Sequence, residues 1–401
     1  MKRNSNIFRN LTVLSLEQAT VLPYLTYRLA QDGVRVIRLE HPVQCDPNRR
    51  IGYPFQPGEE KMCSYFFAFN SGKEAVTLDL KNQRGQEILR KLIKELNVDI
   101  FTTNQLPKNY ATLGIDYDAL RAVKPDIIWL GISGFGPDSN EAAYDPILQA
   151  RGGLMEMTGE AGGEPQVLGI PLPDMGTSEH AYGLIMKALF KRAMTNEGSR
   201  IDMAMIDSTV SWLVQPVTMA TTFNQVMTRR GNTHEFFAPV SVFPTSDGFV
   251  YVAMGNDIQW QRLLAIPGFE QLAEPCYEKN AGRIADKHRL NERIAEATRK
   301  FGTAELIETF RRAMIPIAKV QGIRDVCEDP AVKPKLLKSV DPATGFEVTM
   351  APPPYMTEYL KEIDQTLPFP PRLGEHNEAV YGGILGMGKH ELEALRRDGV
   401  I

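Results

Sequence analysis

The sequence has few of the groups that tie a chain to a metal or a disulfide. Its four cysteines, Cys45, Cys63, Cys276 and Cys327, stand far apart with no CxxC pair. That spacing argues against a disulfide framework or a structural zinc site, and suits a reducing compartment. Six histidines are equally dispersed, no two of them at metal-ligand spacing on one helix, so no metal is expected. Positive charge is not in excess: 45 Lys and Arg stand against 49 Asp and Glu, a net charge of −4. A broad electrostatic attraction to nucleic acid or to an anionic membrane is thereby excluded. No apolar run is long enough to span a bilayer. The opening Met-Lys-Arg-Asn-Ser-Asn leads into a strand-like segment with no signal-peptide core, and the expectation is a cytoplasmic protein. Internal repeats and low-complexity tracts are also missing.

What is present is an alternation of strands and helices. Length alone, 401 residues, calls for two or three domains. Leu11–Leu16, Val34–Glu40, Val98–Thr102, Asp126–Ile132 and Arg200–Met205 read as strands, and Thr20–Ala30, Gln86–Leu96 and Ile206–Thr221 as helices. Strands separated by helices imply βαβ units and a parallel, doubly wound sheet. The texture changes after Thr222. Val240–Phe243 and Phe249–Met254 flank an Asp-Gly turn, and helical stretches follow at Ile258–Leu264, Ala281–Phe301 and Ala304–Met314. Residues 224–330 therefore read as a smaller α+β domain, inserted into a larger one made of 1–223 and 331–401. The proline-rich segment 340–375 reads as an extended arm with little core of its own. A last helix spans Lys389–Arg397.

The loop Gly169-Ile-Pro-Leu-Pro-Asp174 is the most informative stretch. Pro171 and Pro173 stiffen it. The apolar-periodic residues Tyr182, Leu184, Ile185, Leu189 and Phe190 mark a helix beyond it, which puts Asp174 just ahead of a helix N-terminus. An aspartate there is most often an N-cap. It can also serve as a nucleophile toward an acyl group, with neighbouring N–H groups stabilising an oxyanion.

Strand Val34–Leu39 ends in Glu40, as the second strand of a dinucleotide-binding fold ends in the acid that holds a ribose. That fold needs G-x-G-x-x-G after its first strand. Here the first turn is Glu17-Gln-Ala-Thr-Val-Leu-Pro23, with no glycine, and a P-loop is missing as well. NAD-dependent redox chemistry is not expected.

Several separated segments, taken in order, resemble the family III coenzyme A transferases over nearly the whole chain. They are Val34-Arg-Val-Ile-Arg-Leu-Glu40, Phe69-Asn-Ser-Gly-Lys73, Val76-Thr-Leu-Asp-Leu-Lys81, Gly131-Ile-Ser-Gly-Phe-Gly136, Tyr144-Asp-Pro-Ile-Leu-Gln149 with Gly152-Gly153, Gly169–Asp174, Phe243-Pro-Thr-Ser-Asp-Gly248 and Pro371-Arg-Leu-Gly-Glu-His376. The resemblance implies an α/β fold: a Rossmann-like large domain built from both chain ends, a smaller inserted α+β domain, and an intertwined dimer. It implies that Asp174 is a nucleophile that passes through an aspartyl anhydride and an aspartyl–CoA thioester. It also implies coenzyme A as co-substrate with no permanently bound cofactor, an acyl-CoA donor and a carboxylic acid acceptor, with succinyl-CoA a donor by family analogy.

By the same resemblance the CoA-contacting positions are Thr20 and Val21 in the first turn, Arg38 and His41 around the end of the second strand, Leu78 and Lys81, Asn104 and Gln105, and Tyr144 with Asp145. Some positions depart from the family. Thr112 stands where many relatives have arginine, Ala142 where a lysine occurs, and Glu74 where a second basic residue is common. The phosphate grip is thinner in consequence. This leaves open a mainly structural subunit of a heteromeric transferase beside an active homodimer. Thr233-His-Glu-Phe-Phe237 lacks the glycine run of formyl-CoA transferases and suggests an acid larger than formate. Related racemases place a histidine at the position of Tyr144, so α-proton exchange would lack half of its acid–base pair.

Overall fold

The apolar runs form six strands: β1 (Thr12–Leu16), β2 (Arg35–Glu40), β3 (Lys73–Thr77), β4 (Ile100–Thr103), β5 (Ile128–Ser133) and β6 (Ser199–Ala204). All pair in parallel, in the order β3-β2-β1-β4-β5-β6. The fold class is α/β, as expected. The computed structural model describes residues 6–55 and 61–401; the opening Met1–Ser5 lies outside them.

Alternate residues of each strand face opposite ways, so a parallel sheet needs a core on both sides. On one side Leu14, Ile37, Val76, Phe101 and Trp129 pack with Ile88, Leu89, Leu92 and Ile93 of α2 (Gln83–Glu95), and with Leu392 and Leu395 near the C-terminus. On the other side Val13, Val36, Ile100 and Ile128 pack with α1 (Val21–Gln31) and with Ala181, Ile185 and Ala188 of a later helix. Helix α3 (Asp145–Arg151) precedes that later helix, α4 (Leu172–Thr195).

Two compact units divide the chain. One comprises Met1–Leu154, Val167–Phe223 and Pro334–Ile401; the other comprises Met155–Gln166 and Asn224–Lys333. The first is thus built from both chain ends: the Tyr381 hydroxyl donates to the Thr77 carbonyl at 2.7 Å, and the His376 N–H to the Ala75 carbonyl at 3.0 Å. The second unit holds a three-stranded antiparallel sheet, β7 (Val240–Pro244), β8 (Phe249–Ala253) and β9 (Ile317–Lys319), over a core that includes Trp260, Phe269 and Phe310. Among the described residues no helix is long and apolar enough to cross a membrane.

Three elements differ from the sequence reading. Ile206–Thr221 is not one helix: α5 (Met205–Ser211) stops at Trp212 and α6 (Val214–Phe223) restarts after it. Pro216 explains the break, because inside a continuous helix its ring would strike the carbonyl four residues earlier, that of Trp212. Ala281–Phe301 is likewise divided, into Asn280–Ala285 and Lys287–Thr298. Asp286 between them accepts the Tyr277 hydroxyl at 2.6 Å. The segment 340–375 is not a coreless arm. Leu337–Val340 and Glu347–Met350 form a hairpin, and Leu337, Met350, Leu360 and Leu367 are buried together with Tyr27 of α1.

Candidate active site

The strand order reverses at β1, whose neighbours β2 and β4 run off in opposite directions. In open parallel sheets ligands bind in the crevice outside the carboxyl ends of the strands at such a switch point. A crevice of about 560 Å³ lies at these strand ends. Its walls include Leu16 at the end of β1 and Gln18 after it, His41 after β2, Leu78 and Lys81 after β3, and Gln105 after β4. Asn104 closes the switch point by holding the Gln18 main chain at both ends: its Oδ1 accepts the Gln18 N–H at 3.2 Å, and its Nδ2 donates to the Gln18 carbonyl at 2.9 Å. Thr112 lines the same crevice. Asp79 is there too. It accepts the Lys81 N–H at 2.9 Å and lies 3.7 Å from His41 Nε2.

Asp174 sits inside the first turn of α4, not ahead of it, because the helix starts at Leu172. Pro173 makes this possible: near a helix start its missing N–H has no intrahelical acceptor to lose. The Asp174 N–H is taken by the Asp145 carboxylate at 3.2 Å, and the other Asp145 oxygen accepts Gln149 Nε2 at 2.6 Å. Burial, reinforced by the negative charge of Asp145, pushes the Asp174 carboxyl up to about 7. Burial also raises Asp145, against the opposing pull of the hydrogen bonds from Gln149 and the Asp174 N–H. Two carboxyls of raised pKa are thus set side by side. Perturbed pairs of this kind cluster at functional sites.

The crevice and Asp174 belong to one neighbourhood. The Ser178 hydroxyl lies 2.8 Å from the Asp174 carbonyl and 2.5 Å from the carbonyl of Val21, the first residue of α1. Gln18, in the crevice wall, is three residues from Val21, a span of at most about 11 Å. Thr20, Val21 and Leu22 open α1, where N–H groups have no acceptor within the helix, and no side chain caps them. Thr20 and Val21 are both buried. The tie through Ser178 had no signal in the sequence.

Tyr144 stands immediately before α3 with 75% of its surface exposed, beside the buried Asp145. Trp212 covers the next part of α4. Its ring stacks on His180 at 4.8 Å, and its Nε1 would lie 2.7 Å from any Cβ placed on Gly176. Arg38 must be corrected. It is fully buried and pairs with Asp46 at 2.8 Å and Glu40 at 3.1 Å, with a further bond to Asn70, so it has no face to offer a phosphate. Glu40 is engaged in the same way, by Arg49 at 2.6 Å, and is not available as a ribose acceptor. Among the described residues no cluster of three or more His, Cys, Asp or Glu is arranged to hold a metal.

A parallel sheet with a crevice at its switch point is where α/β folds bind their ligands, and a carboxyl of raised pKa marks a candidate functional group. The comparisons narrow this. The model of CoA-transferase family III matches residues 8–377, and the chain belongs to that family and is an enzyme that transfers coenzyme A. It is 30% identical over 400 residues to the succinate–glutarate CoA-transferase of Agrobacterium fabrum, with 96% of this chain and 95% of that protein covered. It is also 30% identical over 406 residues to the succinyl-CoA:mesaconate CoA-transferase of Haloarcula hispanica, covering 96% and 98%. Among solved structures, a CaiB/BaiF family protein from Brucella suis superposes with a TM-score of 0.82 at 30% identity, covering 93% of this chain and 98% of that one.

Proposed function

We propose that the enzyme moves coenzyme A from succinyl-CoA to a dicarboxylic acid of glutarate size, through covalent intermediates on Asp174. The observation that carries this reading is the placement of the Asp174 carboxyl. The carboxyl is partly buried and raised to about 7, and the Asp174 main-chain carbonyl is linked through Ser178 to the start of α1 beside the switch-point crevice. The curated relatives, named for succinate with glutarate or with mesaconate, support the acid pair.

The steps follow from the groups present. The Asp174 carboxylate attacks the thioester carbon of the donor; the C–S bond breaks, giving a mixed anhydride and CoA thiolate. The thiolate attacks the Asp174 carbonyl carbon, releasing the donor acid and leaving an aspartyl–CoA thioester. The acceptor carboxylate attacks that thioester, and the freed thiolate then attacks the acceptor's carbonyl in the new anhydride, which restores the Asp174 carboxylate. The N–H groups of Thr20, Val21 and Leu22, at the uncapped start of α1, offer donors to the oxyanions that form in each step. Leu78, Lys81, His41, Gln105 and the Asn104-pinned Gln18 would hold the CoA half, with Lys81 supplying formal positive charge and Tyr144 and Asp145 bounding the reacting end.

Incubation of the chain, purified alone, with succinyl-CoA and glutarate should yield glutaryl-CoA, and hydroxylamine added with succinyl-CoA should convert Asp174 to a hydroxamate, with CoA thiol released from the aspartyl–CoA thioester. Only the carboxylate is nucleophilic, so kcat/KM should fall up to about tenfold per pH unit as the pH drops below about 7. Activity that appears only when a second polypeptide is added would favour the structural-subunit reading. Activity with unlabelled Asp174 would end the covalent mechanism.

A homodimer is part of the same proposal. Val214, Val217 and Phe223 of α6 expose apolar surface that a lone chain would leave in water. Light scattering at micromolar concentration should give twice the chain mass, and a folded monomer there would exclude this assembly.

A further inference from the structure

The turn between β1 and α1, where glycines stand in dinucleotide-binding chains, contains an alanine in a glycine conformation. Ala19 has φ +62°, which brings its Cβ against the backbone carbonyl and is unfavourable for any L-residue. Such a conformation persists only where the surroundings over-determine it. Here both ends of the residue are gripped. The Ala19 N–H donates to Asp46 Oδ1 at 3.1 Å, and the Ala19 carbonyl accepts Asn48 Nδ2 at 2.6 Å. The grip is itself anchored: Asp46 Oδ1 also accepts the Asn48 N–H at 2.9 Å, its Oδ2 accepts Arg38 Nη2 at 2.8 Å, and its N–H donates to Glu40 at 3.2 Å. Asp46 and Asn48 are both buried. What they fix is the peptide between Gln18, which lines the crevice, and Thr20, which precedes α1.

We propose that Asp46 and Asn48 are positioning residues for CoA binding, forming a clamp that holds Ala19 left-handed and so aims Gln18 and the Thr20–Leu22 N–H groups at the ligand. This inference rests on the proposed function for its ligand, but the clamp can be read without one. If the clamp is loosened, alanine relaxes toward negative φ and carries Gln18 and Thr20 with it. Glycine at position 19 would have no such drive, because it accepts positive φ without a steric cost.

The test is Asn48→Ala on the full chain, which removes the donor to the Ala19 carbonyl and leaves the buried ion pairs in place. The expected result is an acyl-CoA KM raised about tenfold, equivalent to about 1.4 kcal/mol, with kcat lowered as well because the Thr20–Leu22 N–H groups also face the oxyanions. In an Ala19→Gly background the same Asn48→Ala change should raise KM by less than about threefold. Equal increases in the two backgrounds, or none in either, would overturn the proposal, since a merely structural role gives no reason for glycine to rescue. Amide exchange supplies a readout that needs no CoA: Asn48→Ala should speed exchange of the Ala19 N–H about tenfold while β1 stays protected. Unchanged exchange at Ala19, or equal loss of protection throughout β1, would also sink the clamp. A chain that handled no CoA at all would remove the proposed function and leave this exchange result standing, so the two failures are distinguishable.

Discussion

Asp174→Asn should abolish CoA transfer and at the same time make the folded chain more stable above neutral pH. The loss follows from chemistry. An amide cannot open the thioester to form an anhydride, and removing a covalent nucleophile costs at least about 10³-fold in kcat. The gain follows from linkage. The folded Asp174 carboxyl is raised to about 7 by burial and by Asp145, whereas an unfolded aspartate titrates near 3.9. Between those values the native chain binds the extra proton, so the wild type loses stability as pH rises from about 4 to about 7 and stays at the lower level above that. Asparagine has no proton to lose. The variant should therefore exceed the wild type by on the order of 1–3 kcal/mol at pH 8, with the difference fading toward pH 4. Urea unfolding at the two pH values, beside the exchange assay, checks both halves. A variant that is inactive and equally destabilised at every pH would point to a helix-start role for Asp174 instead.

Much of this architecture was legible in the sequence, and the parts that were not share a cause. Strands β1, β4 and β5 announce themselves as short, largely apolar runs, because a parallel sheet covered on both faces leaves little room for polar side chains, whereas β2 and the edge strand β6 alternate. Strand β3 does not read that way: it opens Lys73-Glu74, and only the structure shows Glu74 pairing with Arg35 at 2.7 Å. The crevice positions His41, Leu78, Lys81 and Gln105 all converge, since each directly follows a strand end and the sheet gathers those ends. Arg38 failed as a ligand candidate because Glu40 of its own strand, Asp46 eight residues on and the distant Asn70 close around it, an enclosure that only the fold reveals. The left-handed Ala19 carries no signature either. Asp46-Pro-Asn48 reads as an ordinary turn signal, and the turn it grips lies 27 residues away.

The largest stability effect expected of a single substitution is at Lys73. Its ammonium is fully enclosed and reaches Glu17 at 2.9 Å, Asn70 at 2.9 Å and the Pro23 carbonyl at 2.8 Å. Around it three buried acids, Glu17, Glu40 and Asp46, face three buried bases, Arg38, Arg49 and Lys73, with Phe66 under both guanidiniums. Burial alone would raise Glu17 and Glu40, but the cations outweigh it, leaving Glu17 lowered and Glu40 at about 2. Burial likewise pushes Lys73 down to about 8, against the pull of Glu17. Lys73→Met leaves the Glu17 carboxylate with only Arg38, at 3.9 Å, and an uncompensated buried charge of this kind costs about 3–5 kcal/mol. The sign of its pH dependence is fixed. Removing Lys73 takes away the main opposition to burial and raises the Glu17 carboxyl, so the variant's deficit should be greater at pH 8 than at pH 5. Adding Glu17→Gln removes the stranded charge while keeping an acceptor for Ser15 and Thr26, and should recover stability to within about 1–2 kcal/mol of wild type. Denaturant unfolding of the single and double variants decides it. If the double variant is as unstable as Lys73→Met alone, the cost lies in lost packing around the lysine stem and not in the buried charge of Glu17.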